Sequence, residues 1–191
     1  MGISELLLAG LVFLSPNVVD KASASADTVD TEISSYAETQ ITCLAMNMYH
    51  EARGQGTAGQ LAVTAVVLNR VNDKRFPNSI CEVVYQGPIR ESWKTKTDNT
   101  IPDEDRKYYP IRNRCQFSWY CDGKSDTPHD KKNYEQISFL AELIMTNEIK
   151  FLDITDGALF YHADYITPGW AKTKQRTIEI EDHIFYRWDT K

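Results

Sequence analysis

The pattern of hydrophobic and polar positions predicts two helices in the first part of the chain. From Ile41 onward, apolar residues recur every three or four positions, which places them on one face of a helix over residues 41–50. Between residues 58 and 71 the apolar positions cover most sides of the helical period, as is typical of a buried, central helix. Gly54-Gln55-Gly56 separates the two segments, and Thr57-x-x-Gln60 predicts a capping box for the second helix.

The middle of the chain predicts two further helices with a long connection between them. Ser79-x-x-Glu82 has the form of a capping box and predicts a short helix that continues through Val84. An amphipathic stripe predicts another helix over residues 134–146. Residues 87–114 are rich in charge and contain three prolines, so we predict a long surface loop there.

The last third of the chain changes to patterns that predict strands. They cover residues 158–163, 176–180 and 183–188, and the last two can form a hairpin over Glu181-Asp182. Helices followed by a small antiparallel sheet predict an α+β domain.

Composition limits the classes of function. A chain of 191 residues with 42% hydrophobic residues has the size and content of one globular domain. Its net charge of -6 argues against a nucleic-acid-binding protein, because such proteins usually present a basic face. Four Trp and ten Tyr allow recognition of a sugar polymer by stacking, without requiring it.

The N-terminal residues are compatible with two interpretations. Residues 6–14 form an apolar run that is too short to span a bilayer, and Ala24-Ser25-Ala26 has the form of a signal-peptidase site. We therefore expect an export signal or membrane-proximal segment over residues 1–26, followed by a flexible arm over residues 27–40. The alternative is a disordered arm without a signal, because the stretch is polar and lacks sustained periodicity.

Glu51 is the candidate for acid chemistry. It lies at the end of the first predicted helix, beside a glycine-rich turn and close to apolar residues. Burial raises the pKa of a carboxyl group and leaves a proton available for acid catalysis. The alternative is a structural ion pair between Glu51 and Arg53.

Six ordered blocks from Ile41 onward resemble the SleB/CwlJ cell wall hydrolase family, the spore-cortex lytic enzymes and their relatives. The blocks are Tyr49-His50-Glu51-Ala52-Arg53-Gly54, Gly59-Gln60-Leu61-Ala62-Val63, Val67-Leu68-Asn69-Arg70-Val71, Arg75-Phe76-Pro77 with Ile80-Cys81-Glu82-Val83-Val84-Tyr85-Gln86, Cys115-Gln116-Phe117-Ser118-Trp119-Tyr120-Cys121-Asp122-Gly123, and Ala158-Leu159-Phe160-Tyr161-His162-Ala163-Asp164-Tyr165 continuing to Pro168-x-Trp170-Ala171. From Ile41 onward they span about three quarters of the chain.

The resemblance implies a fold similar to lysozyme and lytic transglycosylases, with a helical core and a small antiparallel sheet. The catalytic domain would span residues 41–191. Residues 92–109 would be an insertion relative to most members of the family. The implied activity is cleavage of the MurNAc-GlcNAc backbone of peptidoglycan by a lytic transglycosylase, with Glu51 as its single acid and base. His50 and Gln55 stand where the spore enzymes have Gly and Glu, so the resemblance says less about substrate detail.

Five further positions are candidates for substrate binding or for a second acid. Asp122 is the best candidate for a second carboxyl group, with a turn-forming role at Asp122-Gly123 as the alternative. Gln116 and Ser118 could line a sugar groove. Trp119 could stack on a sugar there or pack in the core. Trp170 could form the rim of the cleft or fill the core.

Tyr161 and His162 lie on a predicted strand. Alternation along the strand puts the two side chains on opposite faces, so we do not expect them to act together. Of the two, Tyr161 is expected to face the cleft.

Four cysteines allow three complete pairings. For an exported protein we favour Cys43 with Cys81 and Cys115 with Cys121, and disulfides would imply an oxidising compartment. The alternative is four free thiols. The cysteines lack C-x2-C spacing and the four histidines lack ligand spacing, so we expect no metal and no cofactor.

The sequence thus predicts an enzyme that acts on peptidoglycan glycan strands in wall remodelling or phage lysis. It would be exported to the periplasm or cell envelope, or released by phage lysis, and no stable protein partner is implied. One alternative is a hydrolytic muramidase or glucosaminidase. Another is a non-catalytic peptidoglycan-binding wall protein, and a third is an amidase or peptidase, for which no nucleophile or metal motif is present.

Overall fold

The computed structural model describes residues 19–188. The chain divides into two units, the first ending at Ala37 and the second beginning at Glu38. The helices are α1 (Val19–Ala52), α2 (Thr57–Val71), α3 (Ile80–Val84), α4 (Trp93–Lys96) and α5 (Lys131–Met145). The strands are β1 (Ile89–Glu91), β2 (Tyr108–Pro110), β3 (Phe160–Ala163), β4 (Gln175–Ile180) and β5 (His183–Arg187).

Helix α1 starts far earlier than the sequence predicted. The structure has continuous helix over residues 27–40, where we expected a flexible arm, and residues 1–18 of the expected export signal lie outside the described residues. No Gly or Pro interrupts residues 18–53, so nothing in the sequence breaks the helix. Residues 31–39 are exposed on every side, and a helix in water needs no apolar stripe. Periodicity therefore could not reveal this part of α1.

The main core forms where the end of α1 meets α2, α3 and α5. Its fully buried side chains include Leu44, Met48, Tyr49, Val63, Val67, Val83 and Val84. Helix α2 is buried along most of its length, which confirms the prediction of a central helix. The disulfide Cys43–Cys81 ties α1 to α3, and a second disulfide joins Cys115 to Cys121, so the favoured pairing is confirmed.

The predicted capping box of α2 is wrong. The helix begins at Thr57 with Gly56 as its N-cap, and no local side chain caps it. The carboxylate of Glu181 accepts instead from the backbone N–H of Gly56 (2.7 Å) and of Gly59 (3.2 Å). A Cβ atom at Gly56 would lie 2.9 Å from a Glu181 oxygen, so a glycine there leaves room for the carboxylate. At α3 the predicted cap is confirmed, because Ser79 accepts from the N–H of Glu82.

Two small antiparallel sheets complete an α+β fold, which confirms the predicted class. Strands β3, β5 and β4 form one sheet in that order, with the predicted hairpin between β4 and β5. The second sheet pairs β1 with β2 and lies within residues 87–114, where we predicted only a surface loop. Strands of three residues carry too little pattern to be recognised. Among the described helices, none is both long and apolar enough to cross a membrane.

Candidate active site

One cavity of about 620 Å³ brings together most of the predicted site residues. The C-terminal ends of α1 and α2, residues 116–129 and strand β3 provide most of its walls. The residues that line it are His50, Glu51, Arg53, Arg70, Gln116, Phe117, Ser118, Trp119, Asp122, Lys124, Ser125, Asp126, Thr127, His129, Tyr161, His162, Ala163, Tyr165 and His183.

Glu51 lies in the last turn of α1 and reaches the cavity wall. The hydroxyl of Tyr161 donates a hydrogen bond to its Oε2 atom at 2.9 Å. Burial raises the pKa of Glu51, while the Tyr161 hydrogen bond and the positive charge of Arg70 act in the opposite direction. Because burial is the largest effect, the carboxyl group keeps its proton to a higher pH than a free glutamic acid does.

Tyr161 is held as a hydrogen-bond donor. Its ring packs against His183 and Phe185, with ring centroids 5.0 and 5.5 Å away. Burial raises its pKa well above the ordinary value, and the adjacent Glu51 raises it further. The phenol therefore stays protonated at neutral pH and donates to the carboxylate.

Arg70 is a buried cation beside Glu51 and Tyr161, and no sequence pattern predicted a role for it. Its Nε atom donates to the carbonyl of Leu159 at 2.8 Å, and its guanidinium lies 5.1 Å from the ring centroid of Phe117. Burial lowers its pKa to about 10, so the side chain remains charged at neutral pH. Its Nη1 atom is buried without a hydrogen-bond partner. An arginine within an otherwise apolar helix was the available signal, because a buried charge needs a compensating function or partner.

Trp119 is one of the lining residues, but most of its side chain is buried in the cavity wall. It is 8% exposed, and its indole N–H donates to Asn47 at 3.1 Å. The ring of His50 stacks on it, with centroids 4.4 Å apart and an angle of 13° between the planes. The packing interpretation therefore describes Trp119 better, whereas its neighbours Gln116 and Ser118 line the cavity.

Asp122 and Asp126 are the acidic lining residues within residues 116–129 of the cavity wall. Asp122 accepts the backbone N–H of Lys124 at 2.8 Å and its carboxylate lies 3.6 Å from the Lys124 ammonium group. Gly123 follows with φ of +83°, so Asp122 forms the turn that was its alternative role. Burial raises the pKa of Asp126, and the nearby His50 opposes this shift. The sequence analysis did not identify Asp126, which lies in a polar segment without a motif.

His162 follows Tyr161 on β3 and lines the cavity, whereas Trp170 lies in the short helical turn Gly169–Thr173 between β3 and β4. The Nε2 atom of His162 lies 3.0 Å from the hydroxyl of Tyr186, whereas Tyr161 contacts Glu51, so the two strand neighbours have different partners. Trp170 does not line the cavity. It packs against Phe160 and Tyr186 and remains 36% exposed.

Comparison with known proteins identifies similar sequences. A family profile described as "Cell Wall Hydrolase" matches residues 54–186 and so begins just after Glu51. The chain is 40% identical over 151 residues to a spore cortex-lytic enzyme of Halalkalibacterium halodurans, covering 78% of this chain and 35% of the relative. It is 40% identical over 152 residues to a spore cortex-lytic enzyme of Bacillus cereus, covering 78% of this chain and 45% of the relative. The chain thus spans less than half the length of these curated relatives.

Solved structures also resemble the chain. The catalytic domain of the germination-specific lytic transglycosylase SleB from Bacillus anthracis is 27% identical, with a TM-score of 0.49. The match covers 78% of this chain and 93% of that structure. For the catalytic domain of the Bacillus cereus SleB protein the identity is 23%, the TM-score 0.45, and the coverage 78% and 89%.

Proposed function

The chain belongs to the cell wall hydrolase family, and from this premise we propose that it is a peptidoglycan lytic transglycosylase. It cleaves the bond between MurNAc and GlcNAc, with Glu51 as the single acid and base. The observation that carries the proposal is the Glu51 carboxyl group, which lines the cavity, has its pKa raised by burial and accepts a hydrogen bond from Tyr161. The proposed mechanism assigns no role to a histidine or to a metal ion.

In the proposed reaction, Glu51 first donates its proton to the glycosidic oxygen. The bond to the anomeric carbon breaks, and positive charge develops on the sugar ring. The Glu51 carboxylate then takes the proton of the muramic acid 6-hydroxyl, whose oxygen bonds to the anomeric carbon and closes an anhydro ring. No water is consumed. Tyr161 and the Arg70 cation stabilise the negative carboxylate between the two steps.

Hydrolysis differs in the group that attacks the anomeric carbon. It would require water and, in a two-carboxylate mechanism, a second carboxylate that acts as general base or nucleophile. Asp122 is occupied by the backbone N–H of Lys124, so Asp126 is the better-placed carboxyl group for that role.

Mass spectrometry of the soluble products from purified peptidoglycan tests the proposal. We expect products that end in anhydro-muramic acid, one water lighter than reducing sugars. Glu51→Gln should lower the rate by about 100-fold or more, because it removes the general acid. Glu135→Gln, on the exposed side of α5, is the matched control and should keep full activity.

Other products would contradict the proposal in distinct ways. Reducing-end sugars would mean hydrolysis, and Asp126→Asn and Asp122→Asn would then identify the second carboxyl group. Free stem peptides would mean that another bond is cut. A fully active Glu51→Gln variant would remove Glu51 from the mechanism.

The proposed place of action is the cell envelope, in wall remodelling or in lysis by a phage. The relatives are named for spore cortex lysis, which takes place outside the cytoplasm. Two disulfides support the same location, because such bonds persist in oxidising compartments.

A further inference from the structure

A second cavity lies in the segment from β1 to β2 and shares no lining residue with the catalytic cavity. Its volume is about 530 Å³. Its lining residues include the aromatic Tyr109, the hydroxyl-bearing Ser92 and Thr100, and the basic Lys94 and Lys107. The catalytic mechanism uses none of these residues.

The aromatic side chains of this segment are exposed to an unusual degree. Tyr109 is 53% exposed and Tyr108 52%. Trp93, between the lining residues Ser92 and Lys94, is 71% exposed. Burial in the core therefore does not explain three large aromatic residues in one short segment. Of the three, Tyr109 lines the cavity, and an exposed aromatic ring at the wall of a cavity is typical of ligand-binding surfaces.

The frame around the cavity is rigid. Strands β1 and β2 pair with Arg90 opposite Tyr109, and the N–H of Ser92 donates to the carbonyl of Lys107 at 2.7 Å. Arg106 bridges Glu91 at 2.8 Å and Asp103 at 3.0 Å. The ring of Tyr109 is thus presented by a preformed structure, which lowers the entropy that a ligand must lose on binding.

The charges around this cavity favour an anionic ligand. Lys94 and Lys107 line the cavity, and neither is among the salt bridges of the described residues. Five acids lie within residues 89–110. Glu91 and Asp103 are paired with Arg106, and Asp98 accepts hydrogen bonds from Thr100. Of the five, Asp105 alone lines the cavity. The lysines outnumber the lining acid, although the whole chain has a net charge of -6.

We propose that this cavity is a second binding site for the peptidoglycan strand, separate from the site of cleavage. Tyr109 stacks on the face of one amino sugar, and Lys94 and Lys107 contact the carboxylates that the muramic acid residues and their peptides carry. The inference rests on the proposed function, since a polymeric substrate extends beyond the residues at the cleaved bond. Its effect is to keep the enzyme on the insoluble wall between cleavage events.

Binding of the full chain to insoluble, purified peptidoglycan tests this site. Glu51→Gln serves as the background, so that the wall stays intact during the measurement. Adding Tyr109→Ala should weaken binding about tenfold, and adding Lys107→Gln should weaken it and reduce its salt dependence. Phe139→Ala, which removes an aromatic ring of 60% exposure on α5, is the matched control and should leave binding unchanged.

Activity and competition complete the test. With Glu51 intact, Tyr109→Ala should slow digestion of insoluble wall but leave cleavage of short soluble glycan fragments unchanged. Soluble N-acetylglucosamine oligomers should compete with the wall for the Tyr109-dependent binding. Free stem peptide should reduce only the Lys107-dependent part of the binding, and acetate should not compete.

Three results would overturn the inference. These are equal binding by the Tyr109→Ala and Phe139→Ala variants, competition by stem peptide but not by the sugar oligomers, and a loss of thermal stability in Tyr109→Ala that accounts for its lost binding. None of them depends on which bond the enzyme cuts, which the products of the wild-type chain report separately.

Discussion

In the proposed mechanism Glu51 depends on two groups near its carboxyl group, the Tyr161 hydroxyl and the Arg70 guanidinium. Burial favours the protonated acid, whereas Tyr161 and Arg70 favour the carboxylate. A carboxyl group that acts first as an acid and then as a base must be able to take both its protonated and its charged form. Opposing effects on its pKa keep both forms accessible. From the sequence, Glu51 was identified by its motif and Tyr161 by its strand. Arg70 was not, because a charged residue in an apolar helix does not reveal which cavity it lines.

At this scale the first prediction concerns the pH dependence of Tyr161→Phe. The Tyr161 hydrogen bond lowers the pKa of Glu51, so its removal raises that pKa. The active form of Glu51 is the protonated acid, and activity is lost as the pH rises through its pKa. The alkaline limb of the pH–rate profile should therefore move to higher pH. The maximal rate should fall about tenfold, because the carboxylate loses a donor.

Tyr134→Phe is the control for this experiment, since Tyr134 lies on α5 outside the cavity lining. Its profile should match that of the wild type. An alkaline limb of Tyr161→Phe that stays in place or moves to lower pH would contradict the assigned hydrogen bond.

At the scale of elements, helices α2 and α5 and the β4–β5 hairpin were predictable because a periodic stripe or a turn marks each of them. The exposed start of α1 and the three-residue strands β1 and β2 carry no such pattern. The cap of α2 was also hidden, because Glu181 and Gly56 are 125 residues apart. That cap joins the turn after Glu51 to the hairpin beside β3, and Gln55 reinforces it with a hydrogen bond to Asp182 at 3.1 Å.

We predict that Glu181→Ala lowers the free energy of unfolding by about 1 kcal/mol, the usual cost of a lost N-cap. It should also reduce activity on peptidoglycan, because β5 pairs with the strand that carries Tyr161. Urea unfolding and the rate of wall digestion measure the two effects. Glu179 lies on β4, and among residues 19–188 its salt bridge is with Arg176 on the same strand, so Glu179→Ala should leave both nearly unchanged. Equal results for the two variants would mean that the cap contributes nothing.

At the scale of the whole molecule, the two disulfides differ in the length of chain that they close. Cys43–Cys81 has a sequence separation of 38 residues and ties two core helices, whereas Cys115–Cys121 has a separation of 6 and closes a loop in the cavity wall. Chain entropy therefore assigns them different effects on stability.

Replacing Cys43 and Cys81 together by Ala should lower the free energy of unfolding by about 4 kcal/mol, and replacing Cys115 and Cys121 by about 2 kcal/mol. The second pair should nevertheless cost more activity at a temperature where both variants are folded, because its loop carries Gln116 and Ser118. Thermal unfolding and wall digestion provide the comparison. A larger loss of stability from the shorter loop would refute this assignment.

The Tyr161 hydrogen bond also gives the two oxygens of Glu51 different tasks. Tyr161 donates to Oε2, and among residues 19–188 no group donates to Oε1. In the proposed mechanism the proton that Glu51 transfers therefore resides on Oε1. After the transfer, the negative charge is shared with Oε2, which already accepts a hydrogen bond from Tyr161. The carboxyl group is in this sense asymmetric before any sugar arrives, and in the proposed mechanism Oε1 is the oxygen that delivers the proton.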